Sequence, residues 1–447
     1  MLTSSKTTNQ FGLFDGLSDQ LDQRHPLFLL ANKINWQLFD DSFKKHYSQK
    51  MGAPSKPIRL MVALQILKYL RNLSDENVVE QWSENCYYQY FSGVQKFTPK
   101  YPCVPTELVA FRKRIGEQGA ELILKESIRV NREDGDDQVG NMVSMDTTVQ
   151  EKNITYPTDD KQYKKIIKKC WKISDEESIN LRQSYVRIVK SLGITQRLKS
   201  RKNGAKEARR ASKRIKTIAG RLLRDLRRKL APERLEPYLA YFNIAQRILN
   251  QKRGDSNKIY SIHEPDVKCH AKGKEHKKFE FGSKASIIVD QSSGIIMGAL
   301  NFSETIHDSK TIPSALEQYE RLNGEEPKNV FADRGYRGIK KNKSSNIHVP
   351  TPNKTIDKQT RNGHIKRAGV EPVIGHLKQH YGVGRNFLKG IMGDNINVMF
   401  AAAGMNFKRR INLWRTEAIF RWLLILKIIK EVYWNIYALS IKRLFEG

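Results

Sequence analysis

Residues 278–302 read KFEFGSKASIIVDQSSGIIMGALNF, two apolar runs separated by a short polar turn. Residues of high strand propensity recur in both runs, and Gln-Ser-Ser-Gly between them is typical of a turn, so the stretch predicts a β-hairpin. Three further apolar runs predict strands on either side of it: MVSMD (142–146), KNVFAD (328–333) and NIHVPTP (346–352). A helical segment beginning at Asp308 lies between the hairpin and the later strands. We therefore predict a mixed α/β sheet.

Two aspartates, Asp146 and Asp333, stand at the ends of predicted strands. Open α/β sheets place their chemistry just beyond strand ends, in the crevice at the edge of the sheet. An aspartate after a strand also commonly begins a turn or caps a helix, and for either residue alone that interpretation is the stronger one. The catalytic interpretation therefore depends on a third group.

A third carboxylate, Glu371, lies in the segment HIKRAGVEPVIGHLK. On a straight helix it would share a face about 60° wide with His364, Arg367 and Lys378, although Pro372 makes that face approximate. Three carboxylates beside a row of cations suit metal-assisted phosphodiester chemistry. Mg²⁺ prefers hard oxygen ligands, and two such ions activate the attacking oxygen and stabilise the leaving one.

The spacing of Arg367, Glu371 and Lys378 matches the Tyr-x2-Arg-x3-Glu-x6-Lys signature of bacterial insertion-sequence transposases, with His364 in place of the tyrosine. The segments SMDTTVQEKNITYPTD, ADRGYRG, EPVIGHLK and GRNFLKGIMGDNIN also resemble the insertion sequence five family. The resemblance extends from about residue 52 to about Trp414. It implies a ribonuclease H-like catalytic domain that cuts the terminal repeats of its element and joins the freed 3′ hydroxyls to target DNA.

By the same resemblance, the catalytic residues and metal ligands would be Asp146, Asp333 and Glu371, holding Mg²⁺ or, as a substitute, Mn²⁺. Arg367, Lys378 and His364 would bind phosphates near the element end. His307 and Asp308 match a His-Asp pair in related sequences, and we interpret them as a helix cap rather than as catalytic groups. A structure-specific nuclease that cuts but never joins, and a DNA-binding protein that has lost catalysis, remain alternatives.

The charge of the chain also favours a nucleic-acid partner. Its 447 residues include 79 Lys and Arg against 47 Asp and Glu, a formal net charge of +32. Such an excess favours a polyanion, with nucleic acid ahead of an anionic membrane surface, because no window supplies the roughly 20 uninterrupted apolar residues of a spanning helix. The N-terminus lacks a secretion signal, so we expect a cytoplasmic, nucleoid-associated protein. A zinc site is not expected, because the spacing of the nearest candidates fits no zinc pattern: His263, Cys269, His270 and His276.

Residues 56–135 show a helical pattern divided by turn signals. Ser74 has the character of a helix cap, and a third, basic helix begins near Thr106. That helix carries Arg112, Lys113 and Arg114. Short helices with a basic last member suit a helix-turn-helix that reads double-stranded DNA, and a small helical bundle without DNA is the alternative.

Residues 159–257 are densely charged and helical, and they interrupt the predicted sheet. One helix there has a single apolar stripe, with Lys and Arg over the remaining surface. A solvated arm would show the same pattern; we favour a clamp on the DNA backbone, because acids are too scarce to pair with the bases. The clamp residues would include Arg209, Arg210, Lys213 and Arg214.

The predicted organisation is multidomain α/β. An N-terminal helical DNA-binding domain (1–135) precedes a ribonuclease H-like domain (136–158 and 258–414), which the basic helical insertion (159–257) interrupts. An amphipathic tail (415–447) follows. Its apolar residues recur at helical steps and predict packing within the chain or against another copy: Ile419, Trp422, Leu426, Ile429, Tyr433 and Ile436. Because joining two element ends needs two active sites, we expect a homodimer or a larger assembly on DNA.

Overall fold

The computed structural model describes residues 16–48, 54–132, 140–252, 254–271, 278–351 and 357–445. Within these ranges seven α-helices precede the sheet: α1 (Leu17–Gln20), α2 (Pro26–Lys33), α3 (Trp36–Phe43), α4 (Ile58–Arg71), α5 (Asp75–Glu84), α6 (Cys86–Phe91) and α7 (Pro105–Asn131). The predicted cap of α5 is confirmed, since the Ser74 hydroxyl accepts the backbone N–H of Asn77 at 3.0 Å. Helix α4 is buried over most of its surface, because α3, α5, α7 and the last helix of the chain surround it.

The sheet has seven strands in the described residues: β1 (Met142–Glu151), β2 (Lys268–Ala271), β3 (Phe279–Asp290), β4 (Ile296–Phe302), β5 (Asn329–Phe331), β6 (Lys341–Asn342) and β7 (Ser345–His348). Their order is β2-β3-β1-β5-β7-β6, and β4 pairs with β3. The mixed α/β sheet and the β3–β4 hairpin are as predicted. The carboxylate of Asp290 forms the hairpin turn by accepting the N–H groups of Ser292 and Ser293, at 3.1 and 2.7 Å.

One prediction about β1 is wrong. Asp146 does not end the strand, because β1 continues to Glu151 in antiparallel pairing with β3. The parallel pairing of β1 with β5 is much shorter and stops at Ser144 and Phe331. Asp146 therefore lies beyond the end of the parallel ladder, in the middle of its own strand.

Between β1 and β2 the chain forms five helices: α8 (Asp159–Glu176), α9 (Val186–Arg197), α10 (Gly204–Lys229), α11 (Pro232–Leu235) and α12 (Leu239–Asn250). These helices bury an apolar core of their own, which is separate from the main core and includes Ile166, Ile173, Ile218, Leu222 and Phe242. The predicted apolar stripe of α10 is confirmed: Ala208, Ala211, Ile215, Ile218, Leu222 and Leu226 are all buried.

Four helices follow the hairpin: α13 (Ile312–Asn323), α14 (Lys358–Arg367), α15 (Val370–His380) and α16 (Gly390–Phe445). The segment predicted as one helix around Glu371 is divided at Ala368 and Gly369, although both residues keep right-handed helical dihedrals and Arg367 lies beside Glu371. Pro372 lies in the first turn of α15, where its missing N–H costs no helical hydrogen bond. The break therefore precedes Glu371 by three residues instead of falling on it.

Helix α16 has 56 residues, a length of about 84 Å at ~1.5 Å per residue. Its first half packs against α4, α7 and β4, and one continuous apolar core extends from Leu27 to Ile411. At Gly404 it lies so close to α4 that a Cβ would come within 2.8 Å of the Tyr69 Cβ. No helix in the described part of the chain is long and apolar enough to cross a membrane.

Candidate active site

Asp146 and Asp333 occupy equivalent positions on two neighbouring strands. The last pair of the parallel ladder is Ser144 with Phe331, and each aspartate lies two residues beyond that pair. Residues two apart on a strand face the same side, so this register sends both carboxylates towards one point at the edge of the ladder. The backbone turns sharply there, because Asp333 Oδ1 accepts the N–H of Gly335 at 2.8 Å.

A third aspartate, Asp308, joins the pair. Its Oδ1 accepts hydrogen bonds from Thr147 Oγ1 and from Lys284 Nζ, both at 2.7 Å. The helix-cap role that we expected for this segment belongs to His307, whose side chain accepts the N–H of Ser309. The Asp308 side chain instead connects the residue after Asp146 to strand β3.

The electrostatics of this cluster raise the pKa of Asp146 to about 6. Burial is the main cause, and the negative charges of Asp333 and Asp308 act in the same direction. The N–H of Thr147, which Asp146 Oδ1 accepts at 2.7 Å, and the guanidinium of Arg367 oppose the rise. Because Asp146 and Asp333 are partly buried and their negative charges repel each other, binding of a cation at this site is electrostatically favoured.

Beneath the cluster, Tyr336 is fully buried, and burial, with the charge of Asp146 next, holds its pKa well above the usual range. The neighbouring Arg334 is exposed. Tyr336 therefore packs inside the fold, whereas Arg334 faces solvent.

Glu371 stands apart from the aspartates. Its side chain is 65% exposed, and its Oε1 lies 3.7 Å from Nη2 of Arg367. Arg367 is only 19% exposed and also lowers the pKa of Asp146, so its guanidinium links the glutamate to the aspartates. Among the residues that the structure describes, no three His, Cys, Asp or Glu side chains are grouped closely enough to hold a metal ion.

Helix α14 brings Arg367 to the cluster because of a glycine. A Cβ at Gly363 would overlap the ring of Phe331, so only glycine allows the helix to lie directly against β5. His364 packs edge-on against the same ring, with centroids 5.4 Å apart. Burial lowers the pKa of His364, and the neighbouring cations His348 and Arg367 lower it further.

Lys378 lies near the other end of α15, about two helical turns from Glu371. Its Nζ is 3.3 Å from Oε1 of the buried Glu280 on β3. The structure thus brings Arg367 to the aspartates, packs His364 against Phe331 and places Lys378 along the sheet in an ion pair.

Comparisons with known proteins identify the class of protein to which the chain belongs. Residues 15–114 match the family described as "Transposase domain (DUF772)", and residues 257–407 match "Transposase DDE domain". The chain belongs to the DDE transposases of insertion sequences. The second match includes Asp333 and Glu371 and begins after Asp146 and the helices α8–α12.

The transposase is also similar to a Rhizobium meliloti protein described as "Uncharacterized protein ORF8 in nfe locus". The two are 38% identical over 200 residues, which make up 44% of this chain and 96% of that protein. No solved structure matches the transposase.

In the N-terminal part of the transposase, one predicted DNA contact is wrong. Arg112 is 5% exposed, and its guanidinium donates to Asp75 at 2.8 and 2.6 Å and to Gln65 at 3.1 Å. The guanidinium is buried between helices and is neutralised by Asp75. Lys113 and Arg114 on the same helix are exposed, and Arg114 lies over the Tyr47 ring, 4.4 Å from its centroid.

On α10 the transposase exposes all four of the predicted clamp residues, Arg209, Arg210, Lys213 and Arg214. None of the four forms an ion pair with another described residue. Of the four zinc candidates, His276 lies outside the described residues. The other three lie before or on β2, where His270 is buried.

Proposed function

We propose that this transposase binds the terminal inverted repeats of its element, cleaves phosphodiester bonds there with a divalent metal, and transfers the 3′-OH ends to target DNA. The observation that carries the proposal is the register of β1 and β5, which sends Asp146 and Asp333 to one point beyond the ladder. Ligands of α/β sheets bind at such strand ends.

The proposed catalytic residues and metal ligands are Asp146, Asp333 and Glu371. The donor set fits Mg²⁺, with Mn²⁺ as a substitute, because all the donors are carboxylate oxygens and two of them repel each other across a half-buried site. When bound, the metal would activate the attacking oxygen and stabilise the leaving one. Glu371 would complete the set by exchanging its contact with Arg367 for the metal.

The chain's own cations then have separate tasks. Once Glu371 has left its contact with Arg367, the Arg367 guanidinium would form bidentate hydrogen bonds with a phosphate beside the aspartates. His364 would donate to a neighbouring phosphate from the same helix. Lys378 would bind the DNA further along the sheet, in exchange for its contact with Glu280.

Other cations would hold the DNA away from the cut. We propose that Lys113 and Arg114 on α7 contact the terminal repeat, and that Arg209, Arg210, Lys213 and Arg214 on α10 grip the backbone. Arg112, buried against Asp75, is not among the proposed contacts. The partners are double-stranded DNA, as element end and as target, and a second copy of the chain in a homodimer or larger assembly.

We further propose the finer classification. The chain would belong to the insertion sequence five family, with a ribonuclease H-like domain formed by residues 136–158 and 258–414 and interrupted by the basic insertion at 159–257. Its N-terminal helical domain would cover residues 1–135 and its tail residues 415–447.

A strand-transfer assay on paired repeat ends tests the proposal. The wild-type protein with Mg²⁺ should give both cuts and joints, whereas Asp146→Ala, Asp333→Ala and Glu371→Ala should give neither while still binding the ends. Asp266→Ala, a change at an exposed carboxylate outside the cluster, is the matched control. Cuts without joints in the wild type would indicate a nuclease, binding alone would indicate a DNA-binding protein, and full cleavage by Asp333→Ala would exclude this site.

A further inference from the structure

The segment RNFLKG (385–390), part of a motif noted in the sequence, has no role in the proposed site. It joins α15 to α16 and is held against the end of β1. Asn386 N–H donates to the carbonyl of Glu151 at 2.7 Å, and Asn153 N–H donates to the carbonyl of Asn386 at 2.8 Å. The Asn386 side chain is buried and donates to Asp394 Oδ1 at 2.6 Å. The backbone of this segment is therefore fixed.

Side-chain exposure alternates along the fixed segment. Asn386 is buried and Leu388 is half-buried, whereas Arg385, Phe387 and Lys389 are exposed. Phe387 is 66% exposed, and the guanidinium carbon of Arg385 lies 5.5 Å from the centroid of its ring. An aromatic ring held open to solvent between two cations thus forms the outer side of the segment.

This outer side is one wall of a cleft of about 660 Å³. The opposite wall is formed by the start of α7, where Val109 is 40% exposed and Lys113 is exposed. Tyr69, Tyr381 and Ile396 also line the cleft. Within the described part of the chain, none of Lys113, Arg385 and Lys389 forms an ion pair. Apolar side chains form much of the lining, which also contains the ion-paired Asp75 and the exposed Glu76. The cations Lys113, Arg385 and Lys389 outnumber these acids and lie on both walls.

We propose that this cleft binds an unpaired nucleotide of the DNA substrate, with its base stacked on Phe387 and its phosphates beside Lys389 and Lys113. Exposed aromatic rings beside cations are how proteins hold single-stranded nucleic acid, and such stacking accepts any base. A base within a duplex does not offer its face, so the occupant must be unpaired. The unpaired cations on both walls favour a polyanion over a protein partner, whose interface cores are depleted in charge.

The inference rests on DNA as the substrate of the proposed function, and not on the chemistry at Asp146. It adds a contact with an unpaired nucleotide, which lies beside the proposed duplex contact on α7 and shares Lys113 with it. Because stacking needs only an aromatic face, tryptophan at position 387 should serve as well as phenylalanine.

Binding of full-length protein to a short oligothymidylate and to a blunt repeat-end duplex, each followed by fluorescence anisotropy, tests the inference. Phe387→Ala should weaken binding of the single strand by about 5- to 100-fold, the loss expected for one stacked base, and leave blunt duplex binding unchanged. Phe387→Trp should keep single-strand binding and quench a 2-aminopurine placed in the strand. Phe97→Ala removes an exposed phenylalanine that does not line the cleft and should change neither.

Unchanged single-strand affinity in Phe387→Ala would overturn the inference and would leave the cleft to a protein partner. An equal loss in Phe97→Ala would also overturn it. If the wild type binds the duplex but not the single strand, the inference alone fails. If it binds neither, the proposed function fails with it.

Discussion

The hydroxyl of Thr147 donates a 2.7 Å hydrogen bond to the carboxylate of Asp308. Thr147 follows Asp146 directly, and the same oxygen of Asp308 also accepts Lys284 Nζ. The contact therefore ties the backbone beside Asp146 to strand β3. Burial alone would raise the pKa of Asp308, but its hydrogen bonds from Lys284 and Thr147 outweigh that effect and the pKa is lowered. The negative charge of Asp308 is therefore compensated.

We expect Asp308→Asn to lower the rate of cleavage by about 10- to 100-fold, as is usual when a residue that orients a metal ligand is changed. Duplex binding should stay the same, because Asp308 is not among the proposed DNA contacts. The measurement is single-turnover cleavage of a repeat end. Lys284→Gln should produce a similar loss, and the double variant should lose less than the two combined, since the two groups act as a pair. Fully additive losses would contradict the pairing.

The raised pKa of Asp146 predicts a pH-dependent stability of the metal-free protein. The Asp146 carboxyl has a pKa of about 6 in the folded protein and about 3.9 in the unfolded chain, so its protonated form stabilises the fold. This contribution to the free energy of unfolding is complete below about pH 4 and is lost as the pH rises through 6. Asp146→Asn should therefore increase the free energy of unfolding at pH 7.5 by about 1–3 kcal/mol and give no gain near pH 4. Urea unfolding with a chelator measures this. An equal gain at both pH values would show that charge is not the cause.

Arg112 and Lys113 are adjacent on α7 but should respond differently to alanine. Arg112→Ala leaves Asp75 buried beside Lys68 alone, so we expect a loss of about 3–5 kcal/mol in the free energy of unfolding. Lys113→Ala should leave stability unchanged and weaken DNA binding. Thermal unfolding and anisotropy separate the two effects. A stable Arg112→Ala variant with weak DNA binding would restore Arg112 as a DNA contact.

The exposed cations of α10 should determine part of the salt dependence of duplex binding. All four residues are changed to Gln in one variant: Arg209, Arg210, Lys213 and Arg214. The slope of log affinity against log salt should then become shallower by about 0.9 for each phosphate contact that the variant has lost. Changing Lys169 and Lys172 is the matched control, because both already pair with Glu176. An unchanged slope in the fourfold variant would make α10 a structural arm.

The exposed residues of α16 should support assembly. In the described part of the tail, Ile419 is 59%, Trp422 61% and Leu426 40% exposed, so the described residues of the chain do not cover them. The side chains of Ile429, Tyr433 and Ile436 lie outside the described part. A version ending at Trp414 should form an oligomer of fewer copies and nick DNA without pairing ends. An unchanged number of copies, measured by light scattering with and without DNA, would exclude the tail from assembly.

Elements that depend on local patterns could be predicted from the sequence: the β3–β4 hairpin, the Ser74 cap and the buried stripe of α10. The roles that depend on long-range pairing could not. Asp308 reaches the site because Lys284 lies opposite Val149 across the β1–β3 ladder, a register that its neighbours in sequence do not reveal. Arg112 resembles a DNA contact in the sequence, and only the packing of α5 against α7 places Asp75 beside it. Glu371 was assigned to a shared face on the assumption of one straight helix.

The close contact of α16 with α4 at Gly404 has a consequence for the spacing of the protein's contacts along the DNA. Because α16 touches α4 there and continues along α7 and β4, the N-terminal helices and the sheet belong to one block with a common core. If α7 contacts the repeat, as proposed, the distance from the contacted base pairs to the bond that is cut is fixed. The element end must then have a constant number of base pairs between the two. The helices α8–α12, with a core of their own, lie outside this block.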